Sequence, residues 1–127
     1  MITGIGTDII KISRIKKLME SEDENAINFI LTSAERALKK SVRSVAGIFA
    51  AKEACLKALG IGFSKGLGRL LEIEVQYDQY GKPSIVTSGI VKEIQDQKEI
   101  GRIELSISHD GDYAIAFVVC QHRSSIH

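Results

Sequence analysis

The amino-acid sequence predicts an α+β fold, with antiparallel strands and one long helix packed on them, in a single domain spanning residues 1–127. Three observations carry that expectation. The stretch Phe49-Ala-Ala-Lys-Glu-Ala-Cys-Leu-Lys-Ala-Leu-Gly-Ile-Gly62 reads as a helix with almost no solvated face. Glu72 to Tyr77, and again Ile103 to Ile107, alternate apolar with polar residues as half-buried strands do. Helical patterns gather mainly in the first half and strand patterns in the second, the order of segregated α+β layers.

Ile2 to Ile5 reads as a short buried strand. Ile9, Ile12, Ile15 and then Leu18 or Met19 recur at helical spacing, so a helix is expected after Asp8, which would stand at a strand-to-helix junction. Thr32-Ser-Ala-Glu35 has the spacing of a capping box and opens a short helix through Lys40. Ser41 or Ser44 caps the long helix, which ends at Leu59 with Gly60 suited to the left-handed position beyond it. Asp78 to Pro83 is a turn leading to a strand near Ile85; Ile90, Val91 and Ile94 mark a helix to about Lys98. The end is a hairpin that turns at Asp110-Gly-Asp112 and returns from Tyr113 to Cys120.

At 127 residues the chain can bury a core without staples. A formal charge of +1 argues against bulk electrostatic binding of nucleic acid or of an acidic membrane. No apolar run approaches the roughly 20 residues that a membrane helix needs, and MITGIGTDII lacks the basic and long apolar regions of a signal peptide. Cys55 and Cys120 lack metal or redox spacing, so reduced buried thiols in the cytoplasm are expected.

Projected at about 100° per residue, the long helix has three sectors. Val45, Ile48, Phe49, Cys55, Leu56 and Leu59 form an apolar stripe, while Gly47, Ala51, Ala54 and Ala58 form a face small enough for close backbone approach. Ala46, Ala50, Glu53 and Lys57 share the edge between them. Glu53 and Lys57 are neighbours four apart, open to two readings: an exposed salt bridge contributing about 0.3–0.5 kcal/mol, or part of a metal-plus-phosphate site in a cleft walled by alanine. Lys52 falls inside the apolar stripe, where snorkelling of its stem is the simple account. The segment after the helix holds four glycines in nine positions, with Lys65 among them, and can turn backbone N–H groups toward an anion. Asp8 is the available second carboxylate, and Mg²⁺ commonly uses one or two carboxylates with waters and substrate phosphates.

Taken together, GIGTDIIKISRI, FAAKEACLKALGIG and SISHDGDYAIAFVV, with GFSKGLGRLLEIEV and YGKP between them, resemble the holo-acyl-carrier-protein synthases over nearly the whole chain. The resemblance implies a 4′-phosphopantetheinyl transferase-like fold assembled as a trimer with intersubunit active sites. It implies transfer of 4′-phosphopantetheine from coenzyme A to a serine of apo-acyl carrier protein, in fatty acid biosynthesis, leaving adenosine 3′,5′-bisphosphate. By the same resemblance Asp8 and Glu53 hold Mg²⁺, and Lys57 contacts phosphate. Lys65 and Gly66 lie along the coenzyme, Pro83 near its adenine, and His109 faces its phosphates. Arg14 docks the acidic carrier. The serine proton has three candidate acceptors, Glu53, Asp8 or a metal-bound water. Where relatives commonly carry a basic residue this chain has Ile48, so one phosphate contact is expected to be missing or supplied by Arg43 or Lys52. Two other classes stand beside the transferase: a module that binds coenzyme A or a nucleotide without turnover, and an interaction domain in which Glu53–Lys57 is merely structural.

Overall fold

A computed structural model describes residues 1–21, 25–62 and 68–125. Strand β1 (Ile2–Lys11) runs into helix α1 (Ile12–Glu20), followed by α2 (Asn25–Asn28), α3 (Ser33–Ala37) and the long α4 (Val42–Ala58). A 3-10 turn at Leu70–Glu72 leads to β2 (Ile73–Tyr77), which pairs antiparallel with β3 (Pro83–Thr87). Helix α5 (Gly89–Gln97) precedes the hairpin of β4 (Ile100–Asp110) and β5 (Tyr113–His122). The first strand lies antiparallel to the last, so the larger sheet has the order β1-β5-β4. No helix among the described residues is long and apolar enough to cross a membrane.

The expected strand at the N-terminus is longer than its apolar start. It continues to Lys11, and Asp8 lies within it opposite Ala116 rather than at a junction. The isoleucine spacing misleads because Ile9 belongs to the strand's outward face while Ile12 opens the helix. Even-numbered Gly4, Gly6, Asp8 and Ile10 share the opposite side, the one that α4 covers. A Cβ on Gly6 would collide with the carbonyl oxygen of Ala54, and one on Gly4 with that of Ala58. Two missing side chains on the strand thus meet the small-residue face of the helix, and the two backbones touch.

Helix α4 begins as expected at Ser41, whose hydroxyl accepts from the Ser44 amide at 3.2 Å. It closes on Gly60 at φ +73°, with the Gly60 amide donating to the Lys57 carbonyl and the Ile61 amide to that of Leu56. That pair of bonds is the Schellman pattern. The Thr32–Glu35 capping box is present, but α3 ends at Ala37, before a left-handed Lys39 (φ 49°).

Lys52 does not snorkel. It is wholly buried and paired with Glu35 at 2.6 Å, and it also donates to the Ile30 carbonyl. The second Glu35 oxygen accepts from the Val75 amide at 2.8 Å. One ion pair therefore ties α4 to α3 and to β2. Cys55 and Cys120 are free and buried, with burial pushing the thiols to about 12 and about 11.

Candidate active site

Asp8 on β1 and Glu53 and Lys57 on α4 meet where the glycine contact presses strand and helix together. The Lys57 ammonium lies 3.2 Å from Asp8 Oδ1 and donates to the Thr7 carbonyl at 3.0 Å. The anticipated Glu53–Lys57 salt bridge gives way to this pairing across elements, and Glu53 forms no ion pair with any described residue. Burial holds the Asp8 carboxyl above its usual range; the hydrogen bond and charge of Lys57, and the charge of Arg14, offset this only in part. Glu53 is raised by burial and then by the negative charge of Asp8, against the pull of Lys57. Two partly desolvated carboxylates repelling each other form a receptacle for a cation.

The donor set suits a hard ion. Among the described residues no three His, Cys, Asp or Glu side chains converge as a metal cage. Two carboxylates completed by water and phosphate oxygens are the habit of Mg²⁺, whereas a structural zinc site would want four nitrogen or sulfur ligands. Asp8 and Glu53 fit Mg²⁺.

Pro83 and His109 stand apart from that pair. With Ser44, Tyr77, Gly81 and Ile107 they line a cleft of about 190 Å³. His109 donates through Nε2 to the Arg43 carbonyl at 3.0 Å. Gly47 makes space for it, since a Cβ there would lie 3.2 Å from His109 Nε2. Asp8 and His109 are on β1 and β4, the two edges of the sheet, separated by about 9.5 Å of strand spacing. Along α4, Gly47 and Glu53 are a further ~9 Å apart. Arg14 is exposed on α1, and its charge reaches Asp8. Lys65 and Gly66 lie outside the described residues. Ile48 is fully buried, so it lines no surface, and Lys52 is spent on Glu35; of the expected substitutes only Arg43 is exposed.

The sequence of the protein matches the family model described as the 4′-phosphopantetheinyl transferase superfamily over residues 4–118. The holo-[acyl-carrier-protein] synthase of Vibrio cholerae is 39% identical over 97% of this chain and all of its own. That of a Geobacillus species is 41% identical over 98% of this chain and all of its own. This chain belongs to the holo-acyl-carrier-protein synthases. Among solved members of that family, the synthase of Neisseria meningitidis superposes with a TM-score of 0.84 at 34% identity, covering 95% of this chain and 99% of that one. The synthase of Helicobacter pylori, solved in complex with coenzyme A, superposes with a TM-score of 0.81 at 39% identity, covering 92% and 99%.

Sequence reasoning passed over several synthase features visible in the fold: the Thr7 and Arg43 carbonyls, Tyr77 beneath the Lys40 ammonium at 4.3 Å, and the Glu35 partner of Lys52. Main-chain acceptors leave no mark in a sequence. The alternation Gly4, Gly6, Asp8 was the legible signal that Asp8 lies on a strand.

Proposed function

We propose that this synthase transfers 4′-phosphopantetheine from coenzyme A to a serine of apo-acyl carrier protein, with Mg²⁺, in the fatty acid biosynthesis of the cytoplasm. The observation that carries the reading is the pair of partly desolvated carboxylates, Asp8 and Glu53, held on two elements in main-chain contact with an ammonium beside them. Relatives solved with coenzyme A, from Helicobacter pylori and Bacillus anthracis, support the choice of donor.

Asp8 and Glu53 would hold the ion, and charge neutralisation on the pyrophosphate is the chemistry it supplies when bound. The serine hydroxyl attacks the phosphorus that bears pantetheine; its P–O bond forms as the pyrophosphate bridge breaks, and adenosine 3′,5′-bisphosphate leaves. Lys57 lies where it can stabilise charge on the departing phosphate. The serine proton would go to Glu53, Asp8 or a water on the ion. Lys65 and Gly66 would run along the coenzyme, Pro83 and His109 would receive its nucleotide end, and Arg14 would contact the acidic carrier.

A homotrimer with sites between subunits belongs to the same reading. The outer face of the sheet carries Ile5, Ile9, Ile115 and Phe117, exposed by 62, 60, 38 and 45%. A contiguous apolar face of this kind marks an interface. The separation of the Asp8 pair from the His109 cleft in one chain supports a site completed by a neighbour.

Mass spectrometry after incubation with coenzyme A, Mg²⁺ and apo-carrier tests the proposal: the carrier gains one phosphopantetheine. No gain with a folded protein and several carriers refutes it. Asp8→Asn and Glu53→Gln are each expected to abolish the gain, and normal rates in both would refute the metal assignment.

A further inference from the structure

We infer that Asp112, in the turn between β4 and β5, is a positioning residue that aims the carrier-docking helix α1 at the carboxylate pair; this rests on the transferase reading. Helix α1 has no cap of its own. Lys11 at its N-cap makes no side-chain bond, and its first turn has no acidic residue. One residue, 99 positions beyond Ser13, does the capping instead. The Asp112 carbonyl accepts from the Ile12 amide at 2.7 Å. Its Oδ1 accepts from the Ser13 amide at 3.0 Å and its Oδ2 from the Ser13 hydroxyl at 2.7 Å. All three oxygens of Asp112 are engaged by the first two residues of α1, and its negative charge suits the positive end of the helix dipole.

The location gives this cap a second consequence. Lys11, the last residue of β1, pairs with Tyr113, so Asp112 lies where the strand ends and the helix departs. Asp8 precedes Lys11 by three residues and Arg14 follows it by three. Within that short span the chain turns from the metal carboxylate to the carrier contact, and Asp112 sets the angle. The other side of the same hairpin is anchored too, because His109 pairs with Ala114 and donates to the Arg43 carbonyl of α4. One turn therefore joins the carrier helix to the helix bearing Glu53. A serine delivered by a docked protein must arrive within near-attack distance, where displacements of about 1 Å are costly.

Steady-state kinetics of Asp112→Ala, Asp112→Asn and Ser13→Ala, varying carrier and coenzyme A separately, test the inference. In Asp112→Ala the KM for carrier is expected to rise roughly five- to tenfold, inside the roughly two- to thirtyfold range that a lost helix cap spans. The KM for coenzyme A stays near wild type, and the saturating kcat falls as well, because the docked serine arrives off its near-attack position. Ser13→Ala gives a smaller shift in the same direction. A merely stabilising cap would lower the melting temperature and leave that split flat. An unmoved carrier KM, or an equal rise in both KM values, overturns the inference. Should Asp112→Ala fail to fold, the near-isosteric Asp112→Asn and Ser13→Ala are read by the same criterion. Absence of transfer by the wild-type protein would instead sink the transferase reading, so the two failures are distinct.

Discussion

Lys52 carries a charge that no water reaches, one residue before Glu53. Burial draws its pKa down, while the Glu35 carboxylate holds the proton on. Removing one member of a buried ion pair strands the other, at a cost of about 3–5 kcal/mol. Lys52→Met is therefore expected to lower the unfolding free energy by that amount, seen as a fall in the urea midpoint with no change of slope. The double variant Lys52→Met/Glu35→Gln should recover much of the loss; a single variant as stable as wild type would show that the pair contributes nothing. The charge was visible in the sequence and its partner was not. Glu35 already had a role in the Thr32 capping box, and a residue with two jobs looks fully explained by the first. Asp8, Glu53 and Lys57 could be singled out because a carboxylate or ammonium among alanines and glycines stands out, although an exposed salt bridge accounted equally well for Glu53 with Lys57. The ladder partners that orient them were invisible, since they are peptide groups.

Among elements, α5 shows how a helix can borrow its start. Ser88 at its N-cap makes no side-chain capping bond; Glu72, at the end of the preceding 3-10 turn, accepts from the Val91 amide at 3.1 Å and pairs with Arg69 at 2.9 Å. Gly89, at φ +58°, leaves room for that carboxylate. Burial pushes the Glu72 carboxyl up, but the Arg69 hydrogen bond and the amides of Val91 and Ile90 outweigh it and hold it below the usual 4.5. A depressed folded-state pKa gives stability that is complete above the unfolded value and lost as pH falls through the folded one. Thermal melts of Glu72→Gln should therefore show a lower melting temperature near neutrality and a flatter decline below about pH 4.5; parallel curves for variant and wild type would refute the role. The sequence displayed the elements through periodicity and α4 through its caps, from Ser41 to Gly60. It misjudged β1 because strand ends are set by the partner strand, here β5, more than 100 residues away.

For the molecule as a whole, the proposed homotrimer rests on the open sheet face. Phe117→Glu would put a charge in the middle of that face, and light scattering is expected to report a monomer that no longer transfers phosphopantetheine. A trimer of full activity would remove the face from consideration. The sheet's connectivity has another consequence. β1 is synthesised more than 100 residues before β5, the strand it pairs with, so Asp8 waits for that whole span before its backbone has a ladder to join. A nascent or truncated chain that ends before Tyr113 is expected to lack the Asp8–Glu53 pair however well α4 has formed. Synthesis of β5 thus becomes a condition for bringing Asp8 into place beside Glu53.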